Sequence, residues 1–394
     1  MHQIIVLNCG SSSIKFAIMD ADSGEASLTG VAENLGNSDA RIKYKTGQQS
    51  EVMPLPEYAE HKLALASIQA LISEQNSAPL AVGHRVVHGG ETFTQSVLID
   101  DEVKHALKAT FHMAPLHNPA ALQGIESAQE AFPDLPHVAV FDTAFFQTMP
   151  KHAYLYALPK ALYEEHGIRR YGFHGSSHYF VSHEAARYLG KPIEQCNLIT
   201  AHLGNGCSIA AIRQGQAVDT SLGFTPLEGL VMGTRCGDIC PSLPGVLSEL
   251  LGYNTKRISE MLNRESGLLG ISGLSNDCRT LEEAAESGNE DAALALHIFC
   301  YRLAKYIGSY MVVTGPLDAI VFTGGIGENS SWIRETVIGM LEHLGHKVDP
   351  EKNLAARFGK AGNIAATALP IWVIPTNEEW VIARDALNIS KQSN

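Results

Sequence analysis

Several stretches of this chain set cationic or imidazole side chains among glycines, a combination that lets a backbone turn tightly and still present charge to an anion. Residues 81–91 (AVGHRVVHGGE) read as a strand carrying Arg85 and ending in Gly89-Gly90. Such a strand either aims a guanidinium into a cleft or leaves it at a sheet edge in solvent. Residues 224–238 (FTPLEGLVMGTRCGD) place Arg235 in a glycine-flanked turn. A guanidinium there suits a planar, charge-spread phosphoryl group. Residues 202–206 (HLGNG) pack two glycines around Asn205, a backbone that phosphates can approach closely. Residues 169–178 (RRYGFHGSSH) hold His174 and His178 four apart. That spacing suits metal ligation from one helix face, but Gly175 disfavours a helix and no H-E-x-x-H occurs. Residues 114–119 (APLHNP) bracket His117 with prolines, which either hold it rigidly or merely expose it. Asp142 closes an apolar run at 138–141, as a turn cap or as a carboxylate at the top of a sheet.

Positioning such groups takes a sheet. Residues 4–7 (IIVL) and 14–19 (IKFAIM) read as strands joined by NCGSSS at 8–13. That bend is rich in N–H and O–H donors, and Lys15 adds a point charge just beyond it. Residues 198–216 (LITAHLGNGCSIAAIRQGQ) repeat the pattern, and aligning Gly10 with Gly204 brings Ile18 onto Ile212. VAVFDT (138–143) and IVFTGG (320–325) read as a second matched pair in the same order. The chain is therefore expected to fold as two related halves, each with a phosphate-sized turn, facing each other across a cleft.

The helical stretches follow from apolar spacing. Leu63, Ala64, Ile68, Leu71 and Ile72 form a stripe, and residues 281–310 read as one continuous helix. Residues 319–329 (AIVFTGGIGEN) read as a buried strand, a glycine turn and then a helix through Ile333, Val337 and Leu344. A helix start at such backbone is a natural nucleotide site. Residues 371–374 lead to an N-capped helix through Trp380, Ala383 and Leu387. Glu378 and Glu379 in its first turn suit the macrodipole, and Glu378 becomes a ligand candidate only if it faces the cleft. Neither G-x-G-x-x-G nor G-x-x-x-x-G-K-[ST] occurs, so dinucleotide-binding and Walker-type readings fall away.

With 394 residues the chain can bury a large core in two domains, and 45% hydrophobic with 18% charged residues leaves little room for long disorder. A net charge of −13 argues against nucleic-acid or anionic-membrane surfaces, so an anionic substrate needs locally placed Arg and Lys. The N-terminus lacks a basic region followed by an apolar run, and no stretch approaches the ~18 apolar residues of a membrane span. A cytoplasmic protein is expected. Seven scattered cysteines without C-x-x-C suit reduced thiols better than disulfides or zinc.

Taken together, NCGSSSIKF, GHRVVHGGE, APLHNP, FDTAF, RRYGFHGSSH, HLGNG, PLEGLVMGTRCGD, SNDCR, TGGIGEN and IPTNEE closely resemble the motifs of the acetate kinases, in family order and over nearly the whole chain. The resemblance implies an α/β fold of two duplicated ribonuclease-H-like domains, as in actin-like ATPases, around a central cleft. It puts the first domain at 1–150, completed by a C-terminal helix at 379–394. The second, at 151–378, would bind nucleotide and dimerise. It implies reversible γ-phosphoryl transfer from ATP to acetate, giving acetyl phosphate and ADP, with Mg²⁺ (Mn²⁺ as the alternative), in a homodimer without nucleic-acid or membrane partners.

Position by position, the resemblance makes Asn8 and Glu378 the magnesium residues and Lys15 an ATP contact. His202, Leu203, Gly204, Asn205 and Gly206 match the nucleotide-binding turns, as do Asp277, Cys278 and Arg279. Gly325, Ile326, Gly327, Glu328 and Asn329 complete them. Arg85 matches the carboxylate-binding arginine, and Val87, Leu116, Phe173 and Pro226 match the pocket for the methyl group. Asp142 matches the catalytic aspartate and His174 and Arg235 the transition-state stabilisers, with His117 nearby. A carboxylate is already ionised near pH 7, so the expected chemistry is charge neutralisation of a moving phosphoryl group by Arg85 and Arg235, with Asp142 orienting Arg235 or a metal-bound water.

Two positions depart from the family pattern: Cys240 stands where Asp is usual, and Phe146 where His is common. A propionate or other short-chain acyl kinase is the nearest rival reading, because one methylene in an apolar pocket is worth only about 1–3 kcal/mol. A nucleotide-driven clamp of the same fold is a more distant one, and it leaves Arg85, His117, His174 and Arg235 without a purpose.

Overall fold

The computed structural model describes residues 2–75, 77–115 and 117–392. The chain divides into two compact units, Met1–Phe145 with Asn377–Asn394, and Phe146–Thr376. The first unit contains β1 (Gln3–Cys9), β2 (Ile14–Asp20), β3 (Ala26–Glu33), β4 (Arg41–Thr46), β5 (Gln49–Pro54), β6 (Val82–Val86), β7 (Val97–Leu98) and β8 (His137–Phe141). They form one sheet in the order β5-β4-β3-β2-β1-β6-β8-β7. β1 pairs antiparallel with β2, Asn8 opposite Lys15, and parallel with β6, which pairs parallel with β8.

Alternate residues of β1 explain its all-apolar run. Ile5 and Leu7 pack with Leu65, Ile68 and Ile72 of the helix His61–Glu74, whereas Ile4 and Val6 pack with Ile382, Ala383 and Ala386 of the helix Glu378–Gln392. Each fully buried Ile or Leu is worth about 1.5–3 kcal/mol in transfer terms. Gly83 lets the second helix sit low on β6: a Cβ there would lie 2.6 Å from Ile382 Cγ2. The same low seating sets the start of that helix, and with it Glu378, close to Arg85 two residues further along β6.

The second unit repeats the design. β9 (Leu198–Leu203), β10 (Cys207–Arg213), β11 (Gln216–Thr220), β12 (Ala319–Thr323), β13 (Gly362–Asn363) and β14 (Ile371–Val373) run in the order β11-β10-β9-β12-β14-β13. The β9–β10 and β10–β11 pairs are antiparallel, and β9–β12 and β12–β14 are parallel. The hairpin β9–β10 therefore stands where β1–β2 stands in the first unit. The second matched pair is corrected by this order: β12 occupies the place of β6, and the counterpart of β8 is β14. Short parallel strands buried on both faces carry the same apolar signature, so sequence could not tell them apart.

Three helix boundaries also differ from expectation. The single helix over 281–310 is two, Cys278–Glu286 and Glu290–Thr314, divided at Gly288 (φ +92°) and restarted by Asn289, whose side chain accepts from Ala292 N. The glycine turn after β12 is already helical as Gly324–Asn329, and a separate helix, Ser331–Gly339, is capped by Ser330. Arg334, fully buried, joins them by donating to the Gly327 and Glu328 carbonyls that end the first, and to Asn353 and the Ala356 carbonyl. Finally, Gly175 does not prevent a helix. Gly175–Leu189 begins there, with Ser177, His178, Val181 and Ala185 buried, so packing outweighs the propensity cost of a first-turn glycine.

Candidate active site

In the first unit a cavity of about 850 Å³ is lined by Asn8, Lys15, Arg85, Asn377, Glu378 and Glu379, among others. Neighbouring parallel strands bring Arg85 of β6 beside Asp142, the residue after β8. Arg85 Nε donates to Asp142 Oδ1 at 2.9 Å and Nη2 to Oδ2 at 2.7 Å, a two-pronged pair. The Asp142 side chain is 2% exposed and that of Arg85 22%. Burial works against the Arg85 charge, but the carboxylates of Asp142 and Glu378 outweigh it and raise the arginine pKa. Asp142, expected to orient Arg235 or a metal-bound water, thus has both oxygens engaged by Arg85.

Glu378 lines this cavity along with Glu51 and Glu379. Burial raises its pKa, Arg85 and Lys15 oppose that, and Asp142 adds to it. The loop at 114–119 is tied to the end of β6 by Asn118, which is buried. Its Oδ1 accepts from His88 N, and its Nδ2 donates to His88 O and Thr110 Oγ1. His117 occupies the cap position of the helix Asn118–Ala131. Leu116 lies outside the described residues. Val87, just past β6, is half-buried. Asn118 was missed in sequence, and its only signal was the Asn-Pro start of a helix.

In the second unit several of the expected site residues gather at the turn after β9. Gly204 N donates to Gly206 O, and a Cβ at Gly206 would meet Arg235 Nη1 at 3.4 Å and His174 Nε2 at 3.6 Å. Residues far apart in sequence thus converge on one glycine. The Arg235 turn is bolted down by backbone bonds: Met232 N to Arg235 O, Gly233 N to Asn205 O and Leu268 N to Met232 O. Asp238 adds side-chain anchors, accepting from Gly229 N and Tyr306 Oη and pairing with Arg302. Arg235 Nη1 donates to the Pro226 carbonyl at 3.1 Å, and burial lowers its pKa. Among the described residues no carboxylate forms an ion pair with it. Cys240, two residues past Asp238, is exposed.

His174 adopts a left-handed backbone (φ +60°) as it starts the helix Gly175–Leu189, a strained placement for a non-glycine residue. Its ring stacks on His202, centroids 4.4 Å apart. Phe173 beside it is buried. Asp277 caps Cys278–Glu286 by accepting from Thr280 N, and Asn276 donates to Asn205, so two of the expected nucleotide turns touch. Cys278 is buried and Arg279 exposed. Gly325, Ile326, Gly327 and Asn329 belong to the helix Gly324–Asn329, which lies against Leu203: a Cβ at Gly324 (φ +76°) would be 2.7 Å from Leu203 O. The Glu328 carboxylate accepts from Gly324 N and Thr376 N, a structural use of that side chain.

A strand order repeated in two α/β units, each opening on a polar or glycine hairpin, is the two-domain architecture of the acetate and sugar kinase, heat-shock and actin superfamily. Solved structures of the same fold include a propionate kinase from Francisella tularensis (45% identical, TM-score 0.94, covering 99% of this chain and 100% of that one) and an acetate kinase from Porphyromonas gingivalis (43%, TM-score 0.94, 99% and 100%). The model of the acetokinase family matches residues 3–384, and the chain belongs to that family, whose members are kinases that transfer phosphate to a carboxylate. An acetate kinase of Shewanella amazonensis is 56% identical over 391 residues, 98% of each chain.

Proposed function

We propose that this protein transfers the γ-phosphoryl group of ATP reversibly to acetate, yielding acetyl phosphate and ADP. The observation that carries this reading is the two-pronged Arg85–Asp142 pair, whose arginine lines a cavity of the first unit together with Glu378, within a chain 56% identical to a protein named acetate kinase. Arg85, held flat by Asp142, would bind the acyl carboxylate, and the apolar Val87, Phe173 and Pro226, with Leu116, would take its methyl group. The turns at 202–206, 277–279 and 325–329 would cradle the nucleotide, and Lys15 would meet its phosphates.

Acetate reaches the reaction already ionised, so no base is needed to make it a nucleophile. The barrier is the approach of two anions and the spread of charge over the equatorial oxygens of the transferring group. Arg235, half-buried and in no carboxylate ion pair among the described residues, supplies that countercharge, and His174 adds a hydrogen-bond donor beside it at Gly206. Asn8 and Glu378 offer one amide oxygen and one carboxylate on the same cavity. That sparse donor set suits Mg²⁺ held chiefly by nucleotide phosphates and water, with Mn²⁺ able to replace it. When bound, the ion would neutralise phosphate charge. Exclusion of water from the acceptor would fall to the apolar residues around Arg85.

No helix among the described residues is long and apolar enough to cross a membrane. We propose a cytoplasmic homodimer, dimerising through the second unit. A propionate-preferring enzyme is the second reading, favoured by the likeness to the Francisella protein. Trapping acyl phosphate with hydroxylamine, using Mg-ATP and acetate, propionate or butyrate in turn, tests both. Hydroxamate formed best with acetate is the expected result, and a propionate maximum would replace it with the second reading. ATP loss without hydroxamate in every tube would overturn acyl transfer altogether.

A further inference from the structure

Behind His174 runs a line of side chains that the proposed reaction does not use directly. Ser208 Oγ, on β10, lies 2.9 Å from His174 Nδ1 and 2.8 Å from His178 Nε2, and Thr200 Oγ1, on β9, lies 2.7 Å from His178 Nδ1. His178, Thr200 and Ser208 are fully buried. The edge of the Phe146 ring packs on His178, centroids 5.7 Å apart at 73°. Burial in this setting, with His202 nearby, holds the His178 pKa well below that of a free histidine, so its imidazole is neutral.

A neutral imidazole between two hydroxyls carries one proton, and Ser208 has one proton to share between two imidazoles. The line therefore has two polarities. In one, Thr200 donates to His178 Nδ1, His178 Nε2–H donates to Ser208, and Ser208 donates to His174 Nδ1, leaving the His174 proton on Nε2. In the other every donor is reversed, and a neutral His174 has a bare Nε2. Nε2 is the nitrogen on the side of Gly206 and Arg235. A bare lone pair there would repel phosphoryl oxygens, whereas an N–H would bond them.

We infer that Thr200, His178 and Ser208 are positioning residues that fix His174 as the neutral tautomer protonated on Nε2, making it a hydrogen-bond donor without adding a second cation beside Arg235. The inference rests on the reading of His174 as a phosphoryl contact. Its own geometry is independent of that reading.

The test uses the full-length enzyme labelled with ¹⁵N-histidine, with the His174 signals assigned by their loss in His174→Asn. At neutral pH the ring shifts should show one bare and one protonated nitrogen, the proton on Nε2. Thr200→Val, which keeps the shape and removes the far hydroxyl, should convert His174 to a mixture of tautomers. It should lower kcat by about five- to tenfold while changing KM for ATP and acetate by less than about twofold. Thr200→Ser should restore both signals and rate. Unchanged His174 shifts in Thr200→Val would overturn the inference, as would a doubly protonated His174 or a proton on Nδ1 in the wild type. If His174→Asn keeps full turnover while the Thr200→Val shifts change as described, the relay stands and the catalytic reading of His174 falls instead.

Discussion

The two units share one strand plan and spend it on opposite electrostatic solutions. In the first, Arg85 of β6 and Asp142, just past β8, form an ion pair, and Arg85 has its charge largely matched by Asp142 before any ligand arrives. In the second, the turn after β9 gathers Arg235 and stacked imidazoles held by hydroxyls, with no carboxylate among the described residues paired to the arginine. A matched arginine is oriented but electrostatically quiet, so it suits recognition of a planar carboxylate. An unmatched, half-desolvated one holds its charge ready for a transition state. The same strand plan thus carries charge at different places: at β6 and β8 in the first unit, and around the β9–β10 turn, the counterpart of β1–β2, in the second.

If that contrast is right, Arg235→Ala is the most damaging single change. It should lower kcat by roughly 10²–10³-fold in the hydroxamate assay with little change in KM for acetate, the scale of one lost charge stabiliser. Wild-type turnover in a folded variant would remove Arg235 from the mechanism. Asp142→Asn should be milder in rate and costlier in stability. With Arg85 left under-neutralised and its orientation loosened, kcat/KM for acetate should fall about 10–10²-fold. Denaturant midpoints should report a loss of about 1–3 kcal/mol, below the figure for a fully buried pair because Arg85 is 22% exposed. A larger rate effect for Asp142→Asn than for Arg235→Ala would invert the comparison.

What could be read from the sequence follows the same division. The hairpins β1–β2 and β9–β10 were legible because each sets a polar or glycine bend between two apolar runs, a strong local signal. The second repeat was mispaired because β6, β8, β12 and β14 are short, apolar and alike, and only the hydrogen-bonding order separates them. The convergence of His174 and Arg235 on Gly206 has no local signal, since it depends on how a left-handed residue and a bolted loop approach the same turn. Ser208 and Thr200 read as ordinary strand residues. Arg334 reads as a surface charge on a helix, yet five hydrogen bonds bury it and burial pushes its pKa down to about 10. Buried polar partners of this kind are chosen by tertiary geometry, which composition and spacing do not encode.

The units also share a feature that sharpens the comparison from its common side: each buries a neutral histidine, His178 in one and His84 in the other. His84 Nε2 lies 2.9 Å from His137 Nδ1, and His137 Nε2–H donates to Phe132 O. Burial, and then repulsion from His137, hold His84 well below its ordinary pKa, and burial also lowers His137. A histidine depressed in the fold stabilises it fully above the unfolded value near ~6.5, and that stability is lost as pH falls towards the folded value. Urea midpoints should therefore decline between about pH 7 and 5, by up to ~1.4 kcal/mol per pH unit for each such histidine. The profile of His84→Gln should be shallower than that of the wild type. Parallel profiles would assign the acid sensitivity to other groups.

The smallest expected effect separates a fold role from a ligand role at a position where sequence suggested nucleotide. Asp277 is exposed and caps the helix Cys278–Glu286, accepting from Thr280 N at 3.0 Å. If it serves the nucleotide turn only by starting that helix, Asp277→Ser should keep both stability and KM for ATP, because a serine hydroxyl can take the same bond. Asp277→Ala should then cost about 0.5–2 kcal/mol and raise KM for ATP only as far as the turn frays. A Ser variant that melts like the wild type but binds ATP several-fold more weakly would show that the carboxylate itself meets the ligand. The second unit would then carry a negative charge at its nucleotide turn after all, which would narrow the contrast with the carboxylate-rich cavity of the first.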